Sequence, residues 1–327
     1  MARDLASRPM IGLALVAFAA FLLVSSALAP LEALGWWAGW RGGRGELPAP
    51  HPGDSDPDVE HYLVYLSGIA AISGDSIAEE ENRFLDRLEE KLPGTRIVRD
   101  VFPYSVTNTG LNSGRLFAWF WRRLERLRLR RPRAVVGLLI HLRNMFQVGV
   151  SADQRYGPIF NFGASEEILA GLRRAGHTPG SRVPITLLGW SGGVQISLGA
   201  TPFLTRALGA PVQIISVGGI MTADPGLLRV RHLWHLYGTR DRVQRWGGLL
   251  FPGRWQMSVA SPWNRAREEG RVHEIAVGPM EHRMPRSYFD DGNPLPGGGT
   301  YADRTLEVII RVLGGSGIRT RPAGQAD

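Results

Sequence analysis

The chain has 327 residues, of which 44% are hydrophobic and 21% charged; this apolar content is enough for a substantial core and excludes a wholly disordered protein. The net charge is +8, but no module with basic and aromatic residues on one face is recognisable, so we predict no nucleic-acid partner. There is no cysteine, which excludes disulfides, thiolate metal sites and a cysteine nucleophile.

The first element is an uncharged apolar segment, residues 10–29, which is long enough to span a bilayer. A tryptophan cluster follows, as in an interfacial aromatic belt: Trp36, Trp37 and Trp40. We therefore predict an uncleaved membrane anchor over residues 1–40 that binds the bilayer through residues 10–29. The alternative is a cleaved signal peptide with its site at residues 27–29, which Pro30 disfavours. Arginines flank both ends, so the side of the membrane that the rest of the chain occupies stays open.

Residues 41–58 are rich in Gly, Pro and Asp and predict a linker. One globular domain is expected over residues 59–315, followed by a flexible tail over 316–327. Within the domain, short apolar runs predict strands over 61–69, 95–104, 185–190, 212–219, 231–238 and 272–278. Helical spacing predicts helices over 76–92, 193–208 and 300–314, the last between Thr300 as N-cap and Gly314 as C-cap.

This alternation predicts an α/β fold with a mostly parallel sheet of about six strands and flanking helices. A ligand site is expected beyond the carboxyl ends of the strands. Residues 104–150 form a predicted helical insertion in which aromatic residues, leucines and arginines mix. It is either a buried helical pair or, alternatively, a basic amphipathic surface on the membrane or a lid over the site.

The strongest chemical signal is the G-x-S-x-G sequence Gly189-Trp190-Ser191-Gly192-Gly193. It joins an apolar strand to a helix, which is the context that a nucleophile elbow requires. The tight turn would expose the serine oxygen at the top of the sheet, and glycines would avoid clashes with the strand and helix. The Gly192 N–H, at the start of the helix, would point toward a developing oxyanion.

With this motif the chain resembles the α/β-hydrolase family over roughly residues 60–315. In that family the nucleophile, the acid and the histidine follow one another along the chain, the last two after late strands. Two loops match: GTRDRV carries Asp241 and GPMEH carries His282. The resemblance implies that His282 accepts the Ser191 proton, that Asp241 orients the imidazole, and that Gly192 and Ile69 donate oxyanion N–H groups.

The sequence departs from the family at several points. The loop after the first strand reads Ser67-Gly68-Ile69, without the histidine that the family often has, and there is no room for two further N-terminal strands. No metal or nucleotide motif is present, so we predict no metal and no cofactor. The sequence therefore predicts a membrane-anchored serine hydrolase acting on an ester, with a lipid-like substrate as one hypothesis. The alternative is a non-catalytic scaffold of the same fold that serves as a membrane-bound interaction protein.

Overall fold

The computed structural model describes residue 20 and residues 58–71, 77–104, 135–178 and 180–321, with the backbone alone at residues 135–140. The strands are β1 (His61–Leu66), β2 (Thr95–Val98), β3 (Ile185–Trp190), β4 (Val212–Val217), β5 (Leu233–Gly238) and β6 (Val272–Gly278). The α-helices are α1 (Glu79–Glu90), α2 (Val135–Ala152), α3 (Gly157–Arg174), α4 (Gly193–Leu208), α5 (Arg242–Leu250), α6 (Pro262–Glu268) and α7 (Tyr301–Gly315).

The six strands form one parallel sheet in the order β2-β1-β3-β4-β5-β6. The chain moves outward from β1 to β2 and then returns to the other side of β1 to begin β3. The strand order therefore reverses between β1 and β3. Ligands of open α/β sheets bind at the carboxyl ends of the strands at such a reversal, and Ser67 and Ser191 directly follow these two strands.

The sheet is covered on both faces, which explains why its central strands are apolar throughout. All residues of β1, β3 and β4 are buried. One core cluster joins the sheet to α3, α4 and α6 through side chains such as Phe160, Ile196 and Trp263. The other joins the opposite face to α1 and α7 through side chains such as Phe84 and Ile309.

The α/β class, the parallel sheet and the flanking helices agree with the sequence prediction. β3, α4 and β6 have the predicted bounds, but the strand predicted over residues 95–104 ends at Val98. Pro103 has no N–H for a ladder, and Phe102 and Tyr104 enter the core instead of pairing.

The predicted C-cap Gly314 is wrong, because α7 continues to Gly315 and is capped by Ser316. Gly317 adopts the left-handed conformation that ends the helix, with φ of 85°. The N–H groups of Gly317 and Ile318 then donate to the carbonyls of Gly314 and Leu313, which is a Schellman motif. Thr300 is the N-cap as predicted, within a capping box.

The predicted anchor over residues 10–29 lies outside the described residues, apart from residue 20, as do the linker and residues 105–134 of the insertion. The described part of that insertion includes α2. None of the helices within the described ranges has the length and apolar character needed to cross a membrane.

Candidate active site

Ser191 lies in a sharp turn between the carboxyl end of β3 and the start of α4. Its φ is 52°, in the left-handed region that non-glycine residues rarely adopt. The Ser191 N–H donates to the Val217 carbonyl at 3.2 Å, and its own carbonyl accepts from Ile220 at 3.1 Å. These bonds to the end of β4 hold the strained turn, as the elbow motif predicts.

At two positions of the motif, only glycine fits without a steric clash. A Cβ at Gly189 would lie 2.9 Å from the Val194 Cα, and a Cβ at Gly193 would lie 2.4 Å from the Leu66 carbonyl oxygen. Both distances are too short for any side chain. The elbow can therefore pack against β1 and the first turn of α4 only because these residues are glycine.

The turn places the Ser191 side chain beside His282, which lies on the loop after the edge strand β6. The Ser191 Oγ lies 2.9 Å from the His282 Nε2, and the His282 Nδ1 lies 2.9 Å from the Asp241 Oδ2. The three residues follow β3, β5 and β6, whose carboxyl ends lie on one edge. The structure therefore brings together the three side chains that the sequence singled out, in the order serine, imidazole, carboxylate.

Asp241 is fully buried and has a donor for each oxygen. Its Oδ1 accepts from the N–H groups of Val243 and Gln244 at 2.9 and 3.1 Å, which makes it the N-cap of α5. Its Oδ2 accepts from the Tyr288 hydroxyl at 2.9 Å as well as from His282. Burial raises the pKa of Asp241, but the hydrogen bond and charge of His282 and the other donors outweigh the effect of burial. The pKa of Asp241 is therefore lowered from its ordinary value. The carboxylate is therefore held ionised beside the imidazole.

Two aromatic side chains fix the geometry around this pair. Trp190 stacks on the His282 ring, with centroids 4.6 Å apart and an interplanar angle of 21°. Tyr288 meets Trp190 edge to face and bridges the carboxylate to β5, because its oxygen also accepts from the Gly238 N–H at 2.6 Å. Sequence reasoning placed Trp190 in the elbow only and missed Tyr288, which follows the histidine loop within the motif SYFD.

The loop after β1 lies against the elbow, where the second oxyanion donor was predicted. A Cβ at Gly68 would lie 3.5 Å from the Ser191 Cβ, and a Cβ at Gly192 would lie 2.9 Å from the Ile69 Cγ2. Among the described residues, neither the Gly192 nor the Ile69 amide donates to a backbone carbonyl outside the regular elements. Both N–H groups are therefore candidates for stabilising negative charge beside the Ser191 Oγ.

A polar group from α2 holds this loop in place. The buried Asn144 Nδ2 donates to the carbonyls of Ile69 and Ala71 at 2.9 and 2.7 Å. The Arg143 Nη1 donates to the Asn144 Oδ1 at 3.1 Å, and the Tyr104 hydroxyl donates to the Ser67 carbonyl at 2.8 Å. Sequence reasoning missed Asn144, because His141, Arg143 and Gln147 are polar residues of the same helix and nothing in the pattern distinguishes Asn144 from them.

A second serine–histidine pair lies deeper in the sheet. The Ser216 Oγ is 2.8 Å from the His235 Nδ1, and the His235 Nε2 is 3.3 Å from the Gln244 Oε1. Burial, with a smaller contribution from the charge of Arg254, lowers the pKa of His235 to about 3. With an amide in place of a carboxylate and a neutral imidazole, this pair lacks the buried carboxylate that stands behind the imidazole beside Ser191.

Access to Ser191 is narrow. The residue is 3% exposed, and the His282 side chain is 13% exposed. A cleft of about 690 Å³ lies between α3, α4 and the loop after β4, but Ser191 does not line it. The Ser191 Oγ therefore lies outside this cleft, in a largely covered position.

No group of three or more His, Asp or Glu side chains within the described ranges is arranged to hold a metal ion. The chemistry that these residues can perform is proton transfer and nucleophilic attack by an activated hydroxyl. The chain matches no protein-family model and no curated protein.

Proposed function

We propose that the protein is a serine hydrolase that cleaves an ester-type bond through an acyl-enzyme, with a fold of the α/β-hydrolase type. The observation that carries the proposal is the continuous hydrogen-bonded series from the Ser191 Oγ through both nitrogens of His282 to the Asp241 Oδ2, at 2.9 Å for each step. Serine is a weak nucleophile unless a positioned base takes its proton, and the base needs a group that holds its tautomer.

In the proposed reaction, the Ser191 Oγ attacks the acyl carbon while the His282 Nε2 takes the hydroxyl proton. The carbonyl oxygen becomes an oxyanion that the Gly192 and Ile69 N–H groups stabilise. The ester C–O bond then breaks, and the imidazolium returns the proton to the departing alcohol. Water repeats the sequence on the acyl-serine, which releases the acid and restores Ser191. Asp241 stays ionised throughout and stabilises the imidazolium.

For the substrate, we propose an ester with an apolar acyl group. The exposed apolar side chains of α2, namely Leu142, Met145 and Phe146, support this class because α2 also contributes Val148, which lies next to Gly192. The uncharged segment at residues 10–29, predicted as a bilayer anchor, supports it independently by placing the domain near lipid.

The alternative function is a non-catalytic scaffold, and the low exposure of Ser191 favours it. A scaffold has no need for an imidazole within hydrogen-bonding distance of the serine. It also has no need for an ionised carboxylate that is buried behind the imidazole, since burying a charge is costly. The distances in the serine–histidine–aspartate series therefore support the hydrolase over the scaffold.

The test is covalent labelling of the full chain with a fluorophosphonate probe, in detergent and in phospholipid vesicles. We expect labelling of the wild type that is lost in Ser191→Ala and in His282→Ala. The matched control is Ser216→Ala, which removes the hydroxyl of the second serine–histidine pair and should leave labelling intact. Absence of labelling in a folded wild type under both conditions would refute the proposal in favour of the scaffold.

A further inference from the structure

Exposed apolar side chains concentrate in one short part of the chain. Of the eleven large apolar side chains that are exposed among the described residues, six lie between residues 246 and 259. These six form what we call the α5 surface: Trp246, Leu249, Leu250, Trp255, Met257 and Val259. Exposures in this set range from 40% for Trp255 to 81% for Met257. A cluster of this kind on a folded domain marks an interaction site.

Helix α5 is amphipathic, but its apolar side chains face solvent instead of the core. Trp246, Leu249 and Leu250 have the spacing that places side chains on one helical face, and that face is exposed. The residues of α5 that are buried against the domain are Gln244 and Gly247. The Trp255 Nε1 donates to the Leu249 carbonyl at 3.1 Å, so the segment after α5 continues the same surface.

The segment of chain that carries the α5 surface has charged residues of one sign only. Arg240, Arg242 and Arg245 are exposed at the start of α5, and no acidic residue occurs from 242 to 267. Tryptophan and leucine beside arginine is the composition of helices that lie in the headgroup region of an anionic bilayer, because the indole ring favours that boundary and arginine attracts acidic headgroups. This complementarity favours a lipid surface over a second protein as the occupant.

The α5 surface also lies at the same edge of the sheet as the candidate active site. α5 begins directly after Asp241, and a Cβ at Gly247 would lie 3.4 Å from the Ile220 Cγ2. The Ile220 N–H in turn donates to the Ser191 carbonyl. On the loop that carries His282, Met284 is 46% exposed.

We propose that the α5 surface docks onto an anionic lipid bilayer and turns the carboxyl edge of the sheet, with Ser191, toward the membrane. This contact is additional to any anchoring by residues 10–29. Its consequence, delivery of a lipid ester to Ser191, rests on the proposed function, whereas the docking itself does not.

The test measures membrane depth in the full chain. Because the chain has no cysteine, a single Leu249→Cys variant can carry a polarity-sensitive fluorophore in vesicles of phosphatidylcholine and phosphatidylglycerol that contain brominated lipid. The matched control is Arg311→Cys, whose side chain is 64% exposed in the second half of α7, on the helix that packs against the opposite face of the sheet. We expect bromolipid quenching at position 249, consistent with insertion of about 5–10 Å into the boundary between headgroups and acyl chains, and none at position 311.

Substituting the arginines tests the electrostatic part of the proposal with the same probe at position 249. Each basic residue near an anionic surface contributes an attraction worth about a fivefold change in the ratio of docked to undocked protein. Arg242→Gln with Arg245→Gln should therefore lower quenching at position 249, as should replacing phosphatidylglycerol by phosphatidylcholine. Circular dichroism confirms that each variant is folded.

A probe at position 249 that is not quenched in anionic vesicles, or that is equally shielded in aqueous buffer without lipid or detergent, would overturn the proposal. Shielding without lipid would mean that another part of the chain or a second copy covers the surface. Repeating the measurement with Ser191→Ala separates the two proposals, because bilayer docking does not require the chemistry at Ser191.

Discussion

The Tyr288 hydroxyl should have a larger effect on stability than on catalysis. It donates to the Asp241 Oδ2 at 2.9 Å and accepts from the Gly238 N–H at 2.6 Å, in a side chain that is 0% exposed. Tyr288→Phe keeps the ring that contacts Trp190 but removes both hydrogen bonds. A hydrogen bond to a charged group contributes about 1.5–3 kcal/mol, and a buried N–H left without an acceptor costs about 1–3 kcal/mol.

We therefore expect the free energy of unfolding to fall by about 2–4 kcal/mol, less than the full sum because the site relaxes. Activity should fall by only about tenfold, since Asp241 keeps the His282 donor and the two backbone donors of α5. Urea unfolding followed by tryptophan fluorescence gives the first quantity. Hydrolysis of a chromogenic ester, or the rate of fluorophosphonate labelling, gives the second.

The matched control is Tyr301→Phe. Tyr301 is 4% exposed in the same apolar cluster, and its hydroxyl makes no hydrogen bond within the described part of the chain. Its removal should change the free energy of unfolding by less than about 0.5 kcal/mol. If Tyr288→Phe were as mild as this control, the hydroxyl would not be the bridge between β5 and the carboxylate, and the assigned network would be wrong.

Three further predictions concern the elbow, the acid and the oxyanion loop. Asp241→Asn should lower kcat by about 10³–10⁴-fold. The fold lowers the pKa of Asp241 from its ordinary value of 3.8, so the ionised carboxylate stabilises the protein above that pH, and this contribution is lost as the pH falls through the folded pKa. The free energies of unfolding in urea of the wild type and the variant should therefore converge at low pH. Asn144→Leu keeps the side-chain size but removes the donors to the Ile69 and Ala71 carbonyls, so kcat should fall by about 10–100-fold with KM little changed. If the loss of activity matched the loss of folded protein seen in a thermal melt, the role of Asn144 would be purely structural. Gly193→Ala forces a Cβ to 2.4 Å from a backbone oxygen and should destabilise the fold by about 1–3 kcal/mol or more in a thermal melt, a result that an unchanged melting temperature would contradict.

The elements that the sequence predicted best are those in which burial and local chemistry agree. β3 is a continuous apolar run that ends at the Gly189–Gly193 turn, and α4 follows at once, so pattern and turn residues point to the same boundary. The end of β2 was less predictable, because Phe102 and Tyr104 are as apolar as strand residues but are buried without pairing. Where several glycines lie near the end of a helix, as at residues 314–317 of α7 and its cap, composition alone does not select Gly317 as the left-handed one.

The candidate site divides in the same way. Ser191, Asp241 and His282 were predictable because each follows a strand in a recognisable turn, and parallel strands bring their carboxyl ends to one edge. Tyr288 and Asn144 act through contacts between residues far apart in the chain, with Gly238 and Ile69 respectively. Such pairings depend on how the loops fold back over the sheet, which periodicity does not encode.

Asp241 uses its two oxygens for two different tasks. Oδ1 caps the backbone of α5, and Oδ2 faces His282 and Tyr288. The plane of the carboxylate is therefore set by a helix that forms immediately beside it in sequence, without the more distant histidine loop. If that loop moves to admit a substrate, the acid stays oriented, and only the imidazole has to return to its place for the proton relay to be restored.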